Sequence, residues 1–109
     1  MRPLLFAIMT AAVLPNVARA QEPDWTAAER ETVTHLQAMI RMNTTNPPGN
    51  ELPVATYLDS TMRAAGIETH LFEPAPGRGS LVAVLKGNGS KKPVLIMGHM
   101  DVVGVEHDR

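Results

Sequence analysis

The residues with the clearest chemical potential are His99 and Asp101, which follow an apolar run in this 109-residue sequence. Because they lie two positions apart, their side chains share a face in an extended chain. An imidazole can bind a metal ion through one ring nitrogen, and its other N–H then needs an acceptor that fixes the tautomer and ring orientation. Asp101 suits that role, although it could also bind a metal itself. The alternative is a histidine that only hydrogen-bonds a neighbouring aspartate.

The segment before this pair is predicted to be a buried strand. Residues 93–98 read PVLIMG, with four consecutive apolar residues, a pattern typical of strands covered on both faces. Sites in α/β folds lie at the carboxyl ends of such strands. Gly98 allows the backbone to turn or to approach its neighbours closely. We therefore expect His99 and Asp101 at the carboxyl end of a central strand.

Two helices are predicted upstream of the strands. Val33, Leu36 and Ile40 recur at spacings of three and four, which predicts a helix over residues 26–42 with one apolar face. Thr26 and Glu29 form a candidate capping box at its start. Its one histidine, His35, lies off the apolar face and is expected on the solvated surface.

The second helix is expected over residues 51–65. Apolar residues recur every four positions from Val54, as on one face of a helix. Asn50 is the candidate cap, Pro53 fits the first turn, and Gly66 is placed to end the helix. The loop NTTNPPGN, residues 43–50, separates the two helices.

Two further strands are predicted between the second helix and the buried strand. Residues 67–73 alternate in polarity, with His70 on the exposed face, and residues 80–86 form the next apolar run. Residues 74–79 are expected as a loop and residues 87–90 as a hairpin turn. The order of two helices and three strands predicts an α/β fold.

The N-terminal segment is predicted to be a signal peptide. Arg2 precedes an apolar run at residues 4–14, and Ala18-Arg19-Ala20 fits a cleavage site. The run is shorter than the ~20 residues that cross a bilayer. Residues 1–20 are therefore expected to be removed, leaving residues 21–109 as one secreted or periplasmic domain that is not membrane-bound.

Composition excludes several classes of protein and site. Ten Lys and Arg balance eleven Asp and Glu, which gives no electrostatic reason to expect a nucleic-acid partner. The chain has no cysteine, which excludes disulfides, thiol nucleophiles and thiolate metal ligands. Any metal must therefore bind His, Asp or Glu. His107, flanked by Glu106 and Asp108, is expected in a solvated loop.

Three segments together resemble a known enzyme family. They are MIRMNTTNPPGNE at residues 39–51, GSLVAVLKG at 79–87 and PVLIMGHMDVV at 93–103. Their order and separation are similar to the opening of the aminoacylase, acetylornithine deacetylase and glutamate carboxypeptidase family of zinc metallopeptidases. The sequence after Asp101 resembles the carboxypeptidase S-like branch more weakly. Ser80 departs from the pattern, since many relatives have asparagine there.

The resemblance implies roles for the two candidate site residues. His99 matches the family's first zinc-ligand histidine, and Asp101 matches the catalytic-site carboxylate that orients it. It also implies two zinc ions, with cobalt or manganese as alternatives, and a metal-activated water that attacks an amide bond of a peptide or N-acyl amino acid. The family's three-layer αβα catalytic domain usually carries a smaller second domain that helps dimerisation, so a homodimer is an option for the complete enzyme.

The other metal ligands and the general base of the family follow later than Asp101. The chain is therefore expected to be the N-terminal part of a secreted hydrolase and to be inactive alone, since a catalytic zinc takes three protein ligands. One alternative is a truncated, non-catalytic interaction module of the same fold. The other is a small secreted binding domain in which the His-x-Asp pattern arose by chance.

Overall fold

The computed structural model describes residues 22–105 and shows a mixed α/β arrangement. Helix α1 spans Trp25–Ile40 and helix α2 spans Leu52–Ala64. Strand β1, Glu68–Ala75, pairs antiparallel with strand β2, Arg78–Val84, in a two-stranded sheet. The two predicted helices and the first two predicted strands are thus confirmed, with boundaries shifted by one or two residues.

Two sequence predictions fall outside the described residues. These are the signal peptide at residues 1–20 and the solvated loop around His107. Among residues 22–105, neither helix has the length and apolar character needed to cross a bilayer.

Helix α1 begins at a different cap from the predicted one. A carboxylate oxygen of Asp24 accepts a hydrogen bond from the Ala27 backbone N–H at 2.9 Å, which satisfies one of the free N–H groups of the first turn. Thr26 already lies inside the helix and cannot serve as its cap. The predicted capping box was therefore wrong by two positions.

The apolar face of α1 is only partly covered by the described residues. The side chains of Val33, Leu36 and Ile40 are exposed, and α1 contains no buried residue.

His35 on α1 was predicted to lie on the solvated surface. It is instead half-buried, and its Nδ1 lies 2.6 Å from the hydroxyl of Tyr57 on α2. The two rings also meet edge to face. This contact joins the helices, so the prediction of a solvated His35 was wrong.

Helix α2 ends as predicted but begins differently. Gly66 has φ 77°, its N–H donates to Arg63 O at 2.9 Å, and the Ile67 N–H donates to Met62 O at 3.0 Å. These two bonds form the Schellman motif that glycine favours. At the other end Glu51, not Asn50, occupies the cap position, and its side chain makes no cap bond because it pairs with Arg78.

Strands β1 and β2 form a β-hairpin, and α2 packs on it. The sequence predicted a hairpin turn only at residues 87–90. Strand pairing continues to Ala75 opposite Arg78, so only Pro76 and Gly77 remain in the turn, where the sequence predicted a loop over residues 74–79. Gly77 has φ 77°, a conformation that glycine adopts without steric cost. Val54 and Ala55 on the inner face of α2 are the buried apolar residues of the described chain.

The predicted third strand is not confirmed. Residues 93–98 carry no strand pairing, and the predicted hairpin turn at residues 87–90 is instead a bend in which Asn88 Oδ1 accepts from the Ser90 backbone N–H at 3.0 Å. The four side chains of residues 94–97 are between 80% and 90% exposed. A strand needs a neighbouring strand to pair with its backbone, and the described residues provide none beside this segment.

A polar cluster ties α2 to β1 and depends on one carboxylate. The Thr69 hydroxyl donates to Asp59 Oδ1 at 2.6 Å, and Arg63 Nε donates to the same carboxylate at 3.0 Å. These hydrogen bonds, that from Thr69 most of all, hold the pKa of Asp59 below its ordinary value. Because the folded pKa is depressed, the ionised carboxylate stabilises the fold above the ordinary pKa, and this contribution is lost as pH falls through the folded value.

Replacing Asp59 with asparagine therefore tests the cluster by its pH dependence. We expect D59N to lower the thermal midpoint at pH 7, and the difference from wild type to shrink toward pH 3, because the wild-type carboxylate gains a proton as pH falls. Thermal unfolding monitored by circular dichroism measures both. Glu29→Gln removes the same charge from an exposed position of α1 and should show neither effect. If the difference in thermal midpoint between D59N and wild type were larger at pH 3 than at pH 7, the stabilising role assigned to the Asp59 carboxylate would be contradicted.

Gly79 allows β2 to approach α2 closely. A Cβ at this position would lie 2.5 Å from Leu52 Cα and 3.0 Å from Ala55 Cβ. Since the first of these atoms is backbone, G79A must separate the helix from the hairpin, and we expect a loss of about 1–2 kcal/mol in the free energy of unfolding. Chemical denaturation measures this loss. The matched control is Gly87→Ala, because a Cβ at Gly87 would meet no atom within 4 Å; equal effects of the two changes would refute the close approach.

Candidate metal site

His99 and Asp101 are in direct contact. His99 Nδ1 lies 2.9 Å from Asp101 Oδ1 and 3.0 Å from the Asp101 carbonyl oxygen. Both oxygens are acceptors, so the contact requires the proton on Nδ1 and leaves Nε2 as the nitrogen with a free lone pair. The His99 side chain is 84% exposed. The pair thus presents an oriented imidazole nitrogen to its surroundings.

Asn46 completes the contacts of this carboxylate, and sequence reasoning missed it. Its side-chain Nδ2 donates to Asp101 Oδ2 at 2.9 Å, although the residues are 55 positions apart. Each carboxylate oxygen of Asp101 therefore accepts a hydrogen bond from a different side chain. The loop that holds Asn46 was predicted between the two helices and also belongs to the family resemblance, but no local pattern joins it to Asp101.

Two backbone hydrogen bonds hold the Asn46 loop beside Asp101. The Asn46 N–H donates to Val102 O at 2.9 Å, and the Val102 N–H donates to Thr44 O at 3.2 Å. They form a short parallel bridge between Thr45 and Val102. Thr44 is buried at this junction. The bridge fixes the backbone on both sides of the Asn46–Asp101 contact.

The carboxylate of Asp101 is held in its ionised form. The hydrogen bond from Asn46, and then that from His99, lower the pKa of Asp101 below its ordinary value. Both bonds favour the charged acceptor over the protonated acid. Asp101 therefore remains an acceptor for the Nδ1–H of His99 throughout the neutral pH range.

His99 and Asp101 line a cleft of about 410 Å³. Glu51 at the start of α2, Arg78 at the start of β2 and Ser80 line the same cleft. On its other side His99 borders an apolar cleft of about 340 Å³ that is lined by Met39, Met42, Val54 and Met100. His99 is thus the polar residue at the boundary between two clefts of different chemistry.

The pair fits one ligand position of a zinc site. A histidine whose second nitrogen bonds a carboxylate is the usual arrangement at a zinc-bound imidazole. Residues 22–105 contain no group of three His, Cys, Asp or Glu side chains close enough to share a metal ion. A catalytic zinc takes three protein ligands. The His99–Asp101 pair by itself therefore provides fewer ligands than a catalytic zinc takes.

No family model, curated protein or solved structure was found to match the chain. The family resemblance rests on the three sequence segments alone.

Proposed function

We propose that the chain provides the first metal ligand of a zinc-dependent hydrolase that cleaves amide bonds of peptides or N-acyl amino acids. The observation that carries the proposal is the 2.9 Å contact between His99 Nδ1 and Asp101 Oδ1. It leaves an exposed Nε2 on a ring whose orientation is fixed. The three segments that resemble the aminoacylase and glutamate carboxypeptidase family support the same function.

In this proposal His99 binds a metal ion through Nε2, and Asp101 orients the ring and raises its basicity. Asn46 in turn holds the carboxylate of Asp101 through a hydrogen bond at 2.9 Å. A zinc ion bound there, or cobalt or manganese in its place, supplies an activated water with a pKa of about 7 and polarises the substrate carbonyl. Two such ions are proposed for the complete site.

The apolar surface around the site supports a larger catalytic domain. The side chains of residues 94–97 are between 80% and 90% exposed, although their sequence is typical of a strand buried on both faces. Contiguous apolar surface of this kind needs a cover. We propose that further polypeptide pairs with residues 93–98, which become a third strand in a three-layer αβα domain, and provides the remaining ligands and the general base.

Localisation and assembly follow the same proposal. The N-terminal segment at residues 1–20 has the features of a signal peptide, so we place the hydrolase outside the cytoplasm, as a secreted or periplasmic protein. A second, smaller domain would bind the substrate carboxylate and allow a homodimer. Neither a nucleic acid nor a membrane is proposed as a partner.

The first test is the reading frame that follows the Arg109 codon. We expect it to encode the remaining metal ligands and the general base that the family resemblance implies, namely a downstream Asp, a Glu-Glu pair and a late His. We also expect the protein expressed from the complete frame to release amino acids from dipeptides or N-acyl amino acids. Activity should disappear with a chelator and return with zinc. A stop codon directly after Arg109 would contradict the hydrolase.

A non-catalytic interaction module is the second candidate. It is favoured by the lack of a three-residue metal group in residues 22–105. In that case the purified 109-residue chain should unfold cooperatively and should not bind zinc through His99. If instead the 109-residue chain released amino acids when zinc was added, the hypothesis of a non-catalytic module would be wrong. The expectation that this chain is inactive by itself would also be wrong.

A further inference from the structure

An ion pair between the buried carboxylate of Glu51 and the half-exposed guanidinium of Arg78 lines the same cleft as His99. Arg78 Nε lies 2.7 Å from Glu51 Oε2, and the Glu51 side chain is only 7% exposed. Arg78 also reaches the preceding loop, where its Nη1 donates to Pro48 O at 3.1 Å. One guanidinium on the hairpin thus holds both the first residue before α2 and the loop that leads to it.

Stability alone is a poor explanation for this pair. Removing a carboxylate from water costs several kcal/mol, and one salt bridge often fails to offset that cost. In addition, Glu51 Oε1 is buried and has no hydrogen-bond partner among the described residues. A buried carboxylate with one unsatisfied oxygen, paired with a guanidinium that is 40% exposed, fits a role in fixing geometry better than a role in raising the free energy of unfolding.

The surrounding packing makes the junction tight. A Cβ at Gly49 would lie 2.7 Å from Arg78 Nη1 and 2.8 Å from Glu51 Oε1. The backbone N–H of Leu52 donates to Gly77 O at 2.9 Å. The end of the loop is therefore held against the hairpin by an ion pair, by a backbone hydrogen bond and by close contact at glycine.

The beginning of the same loop holds the site. Asn46 donates to Asp101 through its side chain and to Val102 O through its backbone. Four residues separate Asn46 from Glu51, so a shift at one end of this short segment moves the other. Arg78 contacts Glu51 and Pro48, and the backbone of the loop connects these two residues to Asn46, which contacts Asp101.

We infer that Glu51 and Arg78 are positioning residues, which fix the loop at residues 44–51 on the hairpin and so hold Asn46 where it can orient Asp101 and His99. The consequence for metal binding rests on the proposed function. The placement of the loop does not rest on the proposed function, and hydrogen exchange of backbone amides in the metal-free chain can test it separately.

The test compares Glu51→Gln and Arg78→Met with wild type in the full chain by hydrogen exchange. We expect the amides of Asn46 and Val102, which form the bridge, to exchange about tenfold faster in both variants because the loop opens locally. The Ile67 amide, bonded to Met62 O at the end of α2, should keep its wild-type rate. Arg63→Met is the matched control, since it removes an ion pair from α2 that does not touch the loop.

Two results would overturn the inference. The first is an unchanged rate for Asn46 and Val102 in a folded E51Q chain. The second is acceleration of all three amides by the same factor, which would show that the pair only stabilises the fold. Glu51→Gln keeps the shape of the buried side chain, so it decides the question if R78M fails to fold.

Zinc affinity of the complete enzyme then tests the route to the site. We expect R78M to weaken zinc binding about tenfold when Asn46 is present and to have no added effect in an Asn46→Ala background, because the two residues act in series. If R78M and Asn46→Ala each lowered zinc affinity and the two factors multiplied in the double variant, the route through Asn46 would be refuted. If the amides respond but no variant of His99 changes zinc binding, the proposed function fails while the positioning of the loop stands.

Discussion

His99→Ala is expected to reduce the zinc-dependent kcat/KM of the complete hydrolase by more than about a thousandfold. Replacing an outer partner of a metal ligand typically costs 10–100-fold in metal affinity or activity, and removal of the ligand itself should cost more. The exposed Nε2 is the one nitrogen of this ring that Asp101 does not engage. Initial rates on a dipeptide and an N-acyl amino acid, at saturating and limiting zinc, measure the effect.

His70→Ala is the matched control for this prediction. His70 is also an exposed histidine next to an acidic residue, with Nε2 3.5 Å from Glu68 Oε1, but it lies on β1 and does not line the cleft with His99. Its removal should leave kcat/KM and the zinc requirement unchanged. Wild-type kinetics in H99A, with the fold intact, would exclude His99 as a metal ligand.

Asp101→Asn should lower zinc affinity about 10–100-fold while leaving the fold intact. Both carboxylate oxygens of Asp101 act as acceptors, one for His99 and the other for Asn46 at 2.9 Å. An asparagine side chain offers one oxygen and one NH₂ group. The NH₂ group must then face a donor, either the His99 N–H or the Asn46 amide, so one of the two side-chain contacts is lost and the arrangement that orients the imidazole is weakened.

Competition with a chromophoric zinc chelator measures this loss of affinity. Asp59→Asn provides the matched control, because it makes the same chemical change in the cluster with Thr69 and Arg63. It should lower the thermal midpoint at pH 7 and leave zinc affinity unchanged. Asn46→Ala should give a smaller loss than D101N, since Asp101 still accepts from His99. Equal zinc affinity in D101N and wild type would remove Asp101 from the site.

The elements that could be predicted from the sequence are those that depend on residues close together in the chain. Apolar spacing and Pro53 predicted α2, and Gly66 predicted its end, because helix periodicity and a positive φ are properties of a few consecutive residues. The pairing of His99 with Asp101 has the same origin, since a separation of two positions brings side chains to one face. The caps of both helices were assigned to the wrong residues, because several residues able to cap compete within one turn.

The other features depend on residues that are distant in the sequence. Residues 93–98 have the composition of a buried strand, but a strand forms only where another strand can pair with it. His35 on α1 contacts Tyr57 on α2 although the two residues are 22 positions apart, and no periodicity of the sequence contains that contact.

The sequence by itself determined the two helices, the first two strands and the local His99–Asp101 pair. Only the tertiary structure decided that Asn46 bonds Asp101 across 55 positions and that Arg78 bonds Pro48 across 30. These contacts are set by how the loop packs between the hairpin and the segment that contains Asp101. Such packing depends on the sum of many weak interactions between distant residues, and no spacing of residue types along the chain encodes it.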